Sequence, residues 1–226
     1  IHFYPVFSDF LGYQTGFQIG NRYDILEKEF SARLIPLLFC LAIFTFGVTF
    51  IFRSFFFRRI IKDFRNIFYL GIFATGVAIW SLTLTNLPQM LMNIAVLAYY
   101  VKYAGLLFLP YPLLLFAQES FTEGKNRMIQ IALKINLILI IGQSIFHIAK
   151  ISNLRQMLPV THLFYFFTLL IIFLATIQAI RREWGKQNWR RWIDYIGTLL
   201  VIFASIADTI HYYQDFSADS SRLFRI

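Results

Sequence analysis

Four ionisable side chains that fall within or at the ends of apolar runs are the first candidates for a functional site: Lys102, His162, Asp208 and His211. Ionisable groups inside a membrane are costly, and they usually face the interior of a helix bundle with a partner. Asp208 and His211 are three residues apart, so a helix would place them on one face. The set predicts a polar pocket near one end of a helix bundle, open to the outside.

These side chains suit the sensing of a ligand or of pH, because histidine changes its charge near neutral pH. Metal binding is an alternative interpretation, since His and Asp are suitable ligands, but the sequence lacks the tight ligand spacing of a metal site. In a third interpretation, each group is an ordinary polar residue at the membrane interface. His147 lies near the same predicted helix ends. We predict ligand binding or sensing, without a metal.

Two prolines, Pro110 and Pro112, flank Tyr111 in the middle of an apolar run. Proline removes a backbone donor and kinks a helix. In lipid such a kink is tolerated where neighbouring groups bond the freed carbonyls. The pair predicts either a static kink or a hinge, and a hinge would couple an outer ligand state to the position of an inner loop.

Motifs of known enzyme classes do not occur in the sequence: it has no HExxH, no GxSxG, no CxxC and no P-loop. Each of these patterns places specific nucleophiles, metal ligands or phosphate-binding amides at a fixed spacing. We therefore predict that these residues form neither a catalytic site nor a cofactor site, and that the chain is not itself an enzyme.

The composition indicates a membrane protein. The chain has 226 residues, 58% of them hydrophobic and 15% charged, whereas soluble domains carry about 45–50% apolar and about 25% charged residues. A soluble fold could not bury that much apolar surface. The single cysteine, Cys40, lies inside an apolar run, where it is expected to be a buried small hydrophobic side chain.

Six apolar runs each have about the 20 residues needed to cross ~30 Å of hydrocarbon. Because backbone amides in lipid must bond within their own segment, each run is predicted to be a helix. The predicted fold class is an all-α integral membrane protein with a bundle of six helices. A seventh helix is expected to follow Ile226 in a longer parent chain. The predicted spans are 34–53, 67–86, 97–118, 128–148, 160–180 and 193–213.

The segment before the first span, residues 1–30, is rich in turn residues, with Pro5 and several glycines between short aromatic runs. This pattern is typical of short strands. We interpret it as the end of an extracellular β-rich or irregular domain, followed by the transmembrane bundle at 31–226. The stretch YDILEKEF is predicted to be an amphipathic turn that leads into the first helix.

Basic residues concentrate in alternate connections between the predicted spans. The stretches RSFFFRRIIKDFRN, ESFTEGKNR and RREWGKQNWRR carry most of them, whereas the opposite connections NLPQMLMNIAV and AKISNLRQMLP carry few. The positive-inside rule places the basic connections in the cytoplasm. The N-terminal segment is therefore predicted to lie outside the cell.

The stretch RREWGKQNWRRW mixes basic residues with tryptophans, a pattern that could also indicate a nucleic-acid surface. It is a short connection between two predicted spans, and nucleic-acid binding would need a larger surface facing solvent. Tryptophans at the headgroup level and arginines toward anionic lipid explain the pattern better. The predicted partner of this stretch is the lipid bilayer, with no nucleic acid.

Several stretches carry a resemblance to a known family. They are GFQIGNRYDILEKEFSARLIPLLFCLAIFTFGV, YLGIFATGVAIWSLTLTNL, YYVKYAGLLFLPYPLLLFAQESF, THLFYFF and ADTIHYYQDF. The first is similar to a junction between an extracellular β-rich domain and a first helix, and the others are similar to later helices. Together they resemble the bacterial seven-transmembrane receptors with diverse intracellular signalling modules. The similarity is greatest to Gram-positive members whose cytoplasmic output is a GGDEF diguanylate cyclase.

The resemblance implies a multi-pass receptor in a bacterial plasma membrane. Its partners would be an unknown extracellular small molecule and a cytoplasmic signalling domain in the same parent chain. A cyclase output would imply a homodimer, because such enzymes join two halves that each carry a substrate. No GGDEF motif occurs in these residues, so the output is implied by the resemblance. The alternative functions are a transporter of a small molecule or an ion and a membrane-embedded enzyme.

Overall fold

The structure is a computed structural model, and it describes residues 22–60, 64–85, 95–122, 126–151, 154–183 and 192–207. The secondary structure in these ranges is helical. The helices are α1 (Arg22–Phe56), α2 (Phe64–Leu84), α3 (Ala95–Phe108), α4 (Pro110–Thr122), α5 (Arg127–Ile148), α6 (Leu154–Glu183) and α7 (Trp192–Ala207).

Five segments in the described ranges are long and apolar enough to cross a membrane. Each overlaps one of the first five predicted spans, so the prediction of an apolar helical bundle is confirmed for them. α7 is shorter, and the last residues of the sixth predicted span lie outside the described part of the chain. The five segments are Arg33–Phe56, Phe64–Thr83, Val96–Phe121, Arg127–Ile148 and Gln156–Glu183.

The start of α1 confirms that YDILEKEF is helical and continuous with the first span. α1 begins at Arg22, and it therefore runs through the predicted boundary between residues 30 and 31. The strands that the turn-rich pattern predicts would fall in residues 1–21, outside the described residues. The β-rich remnant stays a prediction.

α1 and α2 pack closely because small residues face each other where they cross. A Cβ atom added to Gly71 would lie 2.9 Å from the Gly47 carbonyl oxygen and 2.9 Å from Ile51 Cγ1. A Cβ added to Gly47 would likewise collide with the side chain and backbone of Thr75. Small residues that let backbones approach are typical of helix packing in membranes. Cys40, on α1, is buried as expected.

Contacts at both ends of the helices show that the first three spans run in alternating directions. At one end, Arg33 Nη1 donates to the carbonyl of Thr85, at 2.6 Å, which joins the first part of α1 to the end of α2. At the other end, Arg65 of α2 lies 3.6 Å from Glu119 of α4. We call the first the Arg33 end of the bundle and the second the Glu119 end.

The core lies where α2, α4, α5, α6 and α7 meet. Leu114 and Ile129 are fully buried, and the ring of Tyr195 on α7 lies 5.5 Å from that of Phe121 on α4. Exposed large apolar residues cover the outer surfaces of α1, α5 and α6, as expected of helices in lipid. Among them are Phe39, Phe46, Ile138, Ile145, Leu163 and Phe167.

Side-chain and backbone groups fix both ends of α5. The Asn126 side chain accepts hydrogen bonds from the amides of Met128 and Ile129, as an N-cap residue does. At the far end, Lys150 has φ 56°, and Ile151 donates to the Phe146 carbonyl. This pattern ends a helix by a left-handed residue, usually glycine. Here a lysine takes that position at the Arg33 end.

Candidate functional site, a cavity between helices

A cavity of about 240 Å³ lies between α3, α5 and α6 at the Arg33 end of the bundle. Its apolar wall is formed chiefly by α3, and its polar groups come from all three helices. The apolar residues are Ala104, Leu106, Leu107, Phe108, Ile148 and Leu158. The polar residues are Tyr100, Tyr103, Gln143, Ser144, His147 and Thr161.

A buried hydrogen-bonded pair, Gln143 and Thr161, joins α5 to α6 at the cavity. Gln143 Nε2 donates to Thr161 Oγ1 at 3.0 Å. The single proton of the Thr161 hydroxyl can go to Gln143 Oε1, at 3.1 Å, or to the Met157 carbonyl, at 3.2 Å. Both side chains are more than nine-tenths buried. Because the pair leaves hydrogen-bonding capacity on the Gln143 amide, it can also bind a group in the cavity.

His147 lies one helical turn after Gln143 on the same face of α5. Its ring meets that of Tyr100 edge-on, with 5.6 Å between centroids and 64° between the planes. The Nδ1 atom is buried and has no hydrogen-bond partner. Buried polar atoms almost always have a partner, so an unpaired one in a cavity wall indicates a place for a polar group.

The third apolar segment, Val96–Phe121, is divided by a turn at Leu109 into α3 and α4. Leu109 still donates to the Gly105 carbonyl at 2.8 Å. Pro110 and Pro112 have no N–H, so they cannot donate to the carbonyls four residues before them. Those carbonyls belong to Leu106 and Phe108, which both line the cavity.

Two further buried polar side chains, Asn136 and Thr168, lie deeper in the same pair of helices. Asn136 is seven residues before Gln143 and Thr168 is seven after Thr161, so both are about two turns further from the Arg33 end. Their exposed fractions are 1% and 0%, and neither amide atom of Asn136 nor the Thr168 hydroxyl has a hydrogen-bond partner. Unpaired polar groups therefore continue from the cavity into the bundle.

The four residues of the sequence hypothesis have different outcomes. Lys102 and His162 are half-buried, and each is next in sequence to a cavity residue, Tyr103 or Thr161. Neither Lys102 nor His162 lines the cavity. Asp208 and His211 lie outside the described residues. The pocket that combines all four stays a prediction, and the cavity is a separate site at the same end of the helices.

The part of the chain that the structure describes contains no group of three or more His, Cys, Asp or Glu side chains that could hold a metal ion. A stable metal site in a protein needs several such ligands at short range. The cavity offers instead hydroxyl, amide and imidazole groups beside apolar walls. This mixture is typical of sites for small organic molecules.

The sequence placed His147 near these helix ends, but the predicted pocket did not include the other polar residues that line the cavity, although one signal for them was present. The buried positions of α5 are Ile129, Ala132, Asn136, Ile140 and Gln143, and this spacing is that of one helix face. Two amide residues on an otherwise apolar face indicate a polar site inside the bundle.

Comparison with protein-family models, with curated proteins and with solved structures gives no match for this chain.

Proposed function

We propose that this chain is the membrane-embedded sensing region of a bacterial receptor. In this proposal, the Arg33 end faces the outside of the cell, and the arginine-rich connections at the Glu119 end face the cytoplasm. A signal received at the outer end changes the position of the inner helix ends. The output is a cytoplasmic domain in the same parent chain, a diguanylate cyclase. The resemblance to receptors with diverse intracellular signalling modules supports the output.

The observation that carries the proposal is the interruption of the third span beside the cavity. α3 lines the cavity, while α4 packs in the core with Leu113 and Leu114 almost fully buried. Glu119, near the end of α4, lies 3.6 Å from Arg65 of α2. A change in α3 therefore has a direct mechanical route to the basic connection between α1 and α2. Coupling requires such an element with two arrangements, one of which a ligand favours.

A transporter is the second candidate, because the same interruption favours it as well. Transporters often hold their substrates at discontinuous helices near the middle of the membrane. The unpaired side chains of Asn136 and Thr168 lie nearer the Glu119 end than the cavity does, and they would be the next polar contacts for a substrate that moves inward. A receptor and a transporter differ in what happens when the cavity is filled.

The test fills the cavity with a side chain of the protein itself. In the parent chain, expressed in bacterial cells, Ser144→Trp places a large ring in the cavity. The expected result is a change of at least about threefold in cellular cyclic di-GMP, since a receptor responds to the occupied site. Combining Ser144→Trp with Pro110→Ala and Pro112→Ala is expected to remove the change, because a continuous helix replaces the interruption.

Two variants serve as matched controls. Ile145→Trp adds the same side chain to the neighbouring position, which is 56% exposed on the outer surface of α5, and it should leave cyclic di-GMP unchanged. Pro36→Ala removes an exposed proline inside α1 and should preserve the response to Ser144→Trp. If Ser144→Trp leaves cyclic di-GMP unchanged but blocks substrate uptake into vesicles, the transporter replaces the receptor.

A further inference from the structure

We propose that the cavity between α3, α5 and α6 binds a small, uncharged, mostly apolar molecule that carries one O–H or N–H donor. The donor bonds to the unpaired Nδ1 of His147 near the end of α5. The rest of the molecule packs against Tyr100 and the apolar wall of α3. Indole and phenol represent this class.

The size of the cavity restricts the ligand. Sites for drug-sized molecules have about 300–1,000 Å³, and this cavity has about 240 Å³. This volume suits a molecule with a single ring or a pair of fused rings. The rings of Tyr100, Tyr103 and Phe108 favour a flat aromatic ligand, since aromatic pairs gain energy beyond their buried area.

The charge of the walls restricts it further. Among the described residues that line the cavity, none is Asp, Glu, Lys or Arg. An ionised ligand would enter a site between membrane helices without an opposite charge, and burial of an unpaired ion is very costly. The ligand is therefore neutral.

An unpaired acceptor in the wall determines which polar group the ligand carries. The Nδ1 atom of His147 is buried and has no hydrogen-bond partner. Buried polar atoms need a partner. In one tautomer of the imidazole ring this nitrogen accepts a hydrogen bond, and a ligand O–H or N–H can donate it.

This inference rests on the proposed function, because it takes the cavity as the sensing site. Occupancy of the cavity can nevertheless be measured without measuring cyclic di-GMP. The protein carries Cys40→Ala and Ser144→Cys and is reconstituted in lipid nanodiscs. Its thiol reacts with methyl methanethiosulfonate, a small neutral reagent, and mass spectrometry gives the rate. Indole at saturating concentration is expected to slow the reaction at least about fivefold.

Ile145→Cys on the same background is the matched control, because this position faces away from the cavity and indole should not change its rate. Benzothiophene has nearly the shape of indole but lacks the N–H. It is expected to need at least about tenfold higher concentration for half-maximal protection, as each lost bond to a buried acceptor weakens binding by about that factor.

Three results would overturn the inference. One is an unchanged rate for Ser144→Cys in the presence of both indole and phenol. Another is equal slowing at Ile145→Cys, which would show partition of indole into lipid. The last is equal protection by indole and benzothiophene, which would show that the N–H donor does not contribute to binding. Protection by indole without any effect of Ser144→Trp on cyclic di-GMP would leave a binding site and reject the receptor.

Discussion

Asn136 is the residue whose burial is hardest to explain by packing alone. Its side chain is 1% exposed, and neither its oxygen nor its nitrogen has a hydrogen-bond partner. Leaving a buried polar group unpaired costs about 1–3 kcal/mol. Gln143, on the same face of α5, has a partner in Thr161 at 3.0 Å. The two amides are therefore expected to respond differently when they are replaced by an apolar side chain of similar shape.

Asn136→Leu is expected to raise the free energy of unfolding by about 1 kcal/mol, because it removes the cost of the unpaired amide. Gln143→Leu is expected to lower it by about 1 kcal/mol, because a hydrogen bond between two membrane helices is lost. Thermal unfolding of the purified protein in one detergent measures both changes. A loss of stability in Asn136→Leu that equals the loss in Gln143→Leu would contradict this account of Asn136.

Single residues also show the limit of the sequence. The burial of Cys40, which we expected from its place in an apolar run, is confirmed, whereas its apolar neighbours Phe39 and Leu41 are exposed. The cavity residues Tyr100 and His147 come from different helices, and their ring contact depends on how those helices are rotated. Periodicity predicts which face of a helix is buried, but it does not predict which two faces meet.

The pair α1 and α2 depends on glycines at the crossing. A Cβ on Gly71 would lie 2.9 Å from the carbonyl oxygen of Gly47 and 3.0 Å from the amide nitrogen of Ile51. Backbone atoms cannot turn aside as a flexible side chain can, so the two helices would have to separate. A Cβ on Gly142 of α5 meets nothing within 4 Å.

Gly71→Ala is expected to lower the free energy of unfolding by about 1–3 kcal/mol, the usual cost of overpacking. Gly142→Ala is the matched control, and it should leave stability unchanged or raise it by up to ~1 kcal/mol through helix propensity. Thermal unfolding in one detergent compares them. Equal stability of the two variants would mean that α1 and α2 do not cross at Gly71.

The helices themselves were largely predictable from the sequence, and their interruption was predictable only in part. Apolar length decides where a membrane helix lies, so the first five predicted spans overlap the observed segments. Pro110 and Pro112 predict a disturbed helix. The position of the turn at Leu109 beside a cavity was not predictable, because α3, α5 and α6 line that cavity together. Whether this turn moves as a hinge stays a prediction.

At the scale of the whole molecule, the proposed function depends on three features that follow one another from the outer end of the bundle to the inner end. The cavity lies at the Arg33 end, and α3 of the interrupted span lines it. The span continues as α4 through the core, and the Arg65–Glu119 contact lies at the other end. The arginine-rich connections are visible in the sequence, and they predict which end of the bundle faces the cytoplasm. The cavity could not be predicted from the sequence, because it is a gap between helices that are distant in the chain.

In the proposed receptor the cavity opens to the outside of the cell, and labelling of intact cells measures this orientation. On a Cys40→Ala background, Ile151→Cys places a thiol at the Arg33 end, where the side chain is 69% exposed. Ile60→Cys places one at the opposite end, where it is 78% exposed. A membrane-impermeant maleimide is expected to label Ile151→Cys in intact cells, and Ile60→Cys only after the cells are permeabilised. Labelling of Ile60→Cys alone in intact cells would show that the cavity lies at the cytoplasmic end of the bundle, and it would contradict the proposed receptor function.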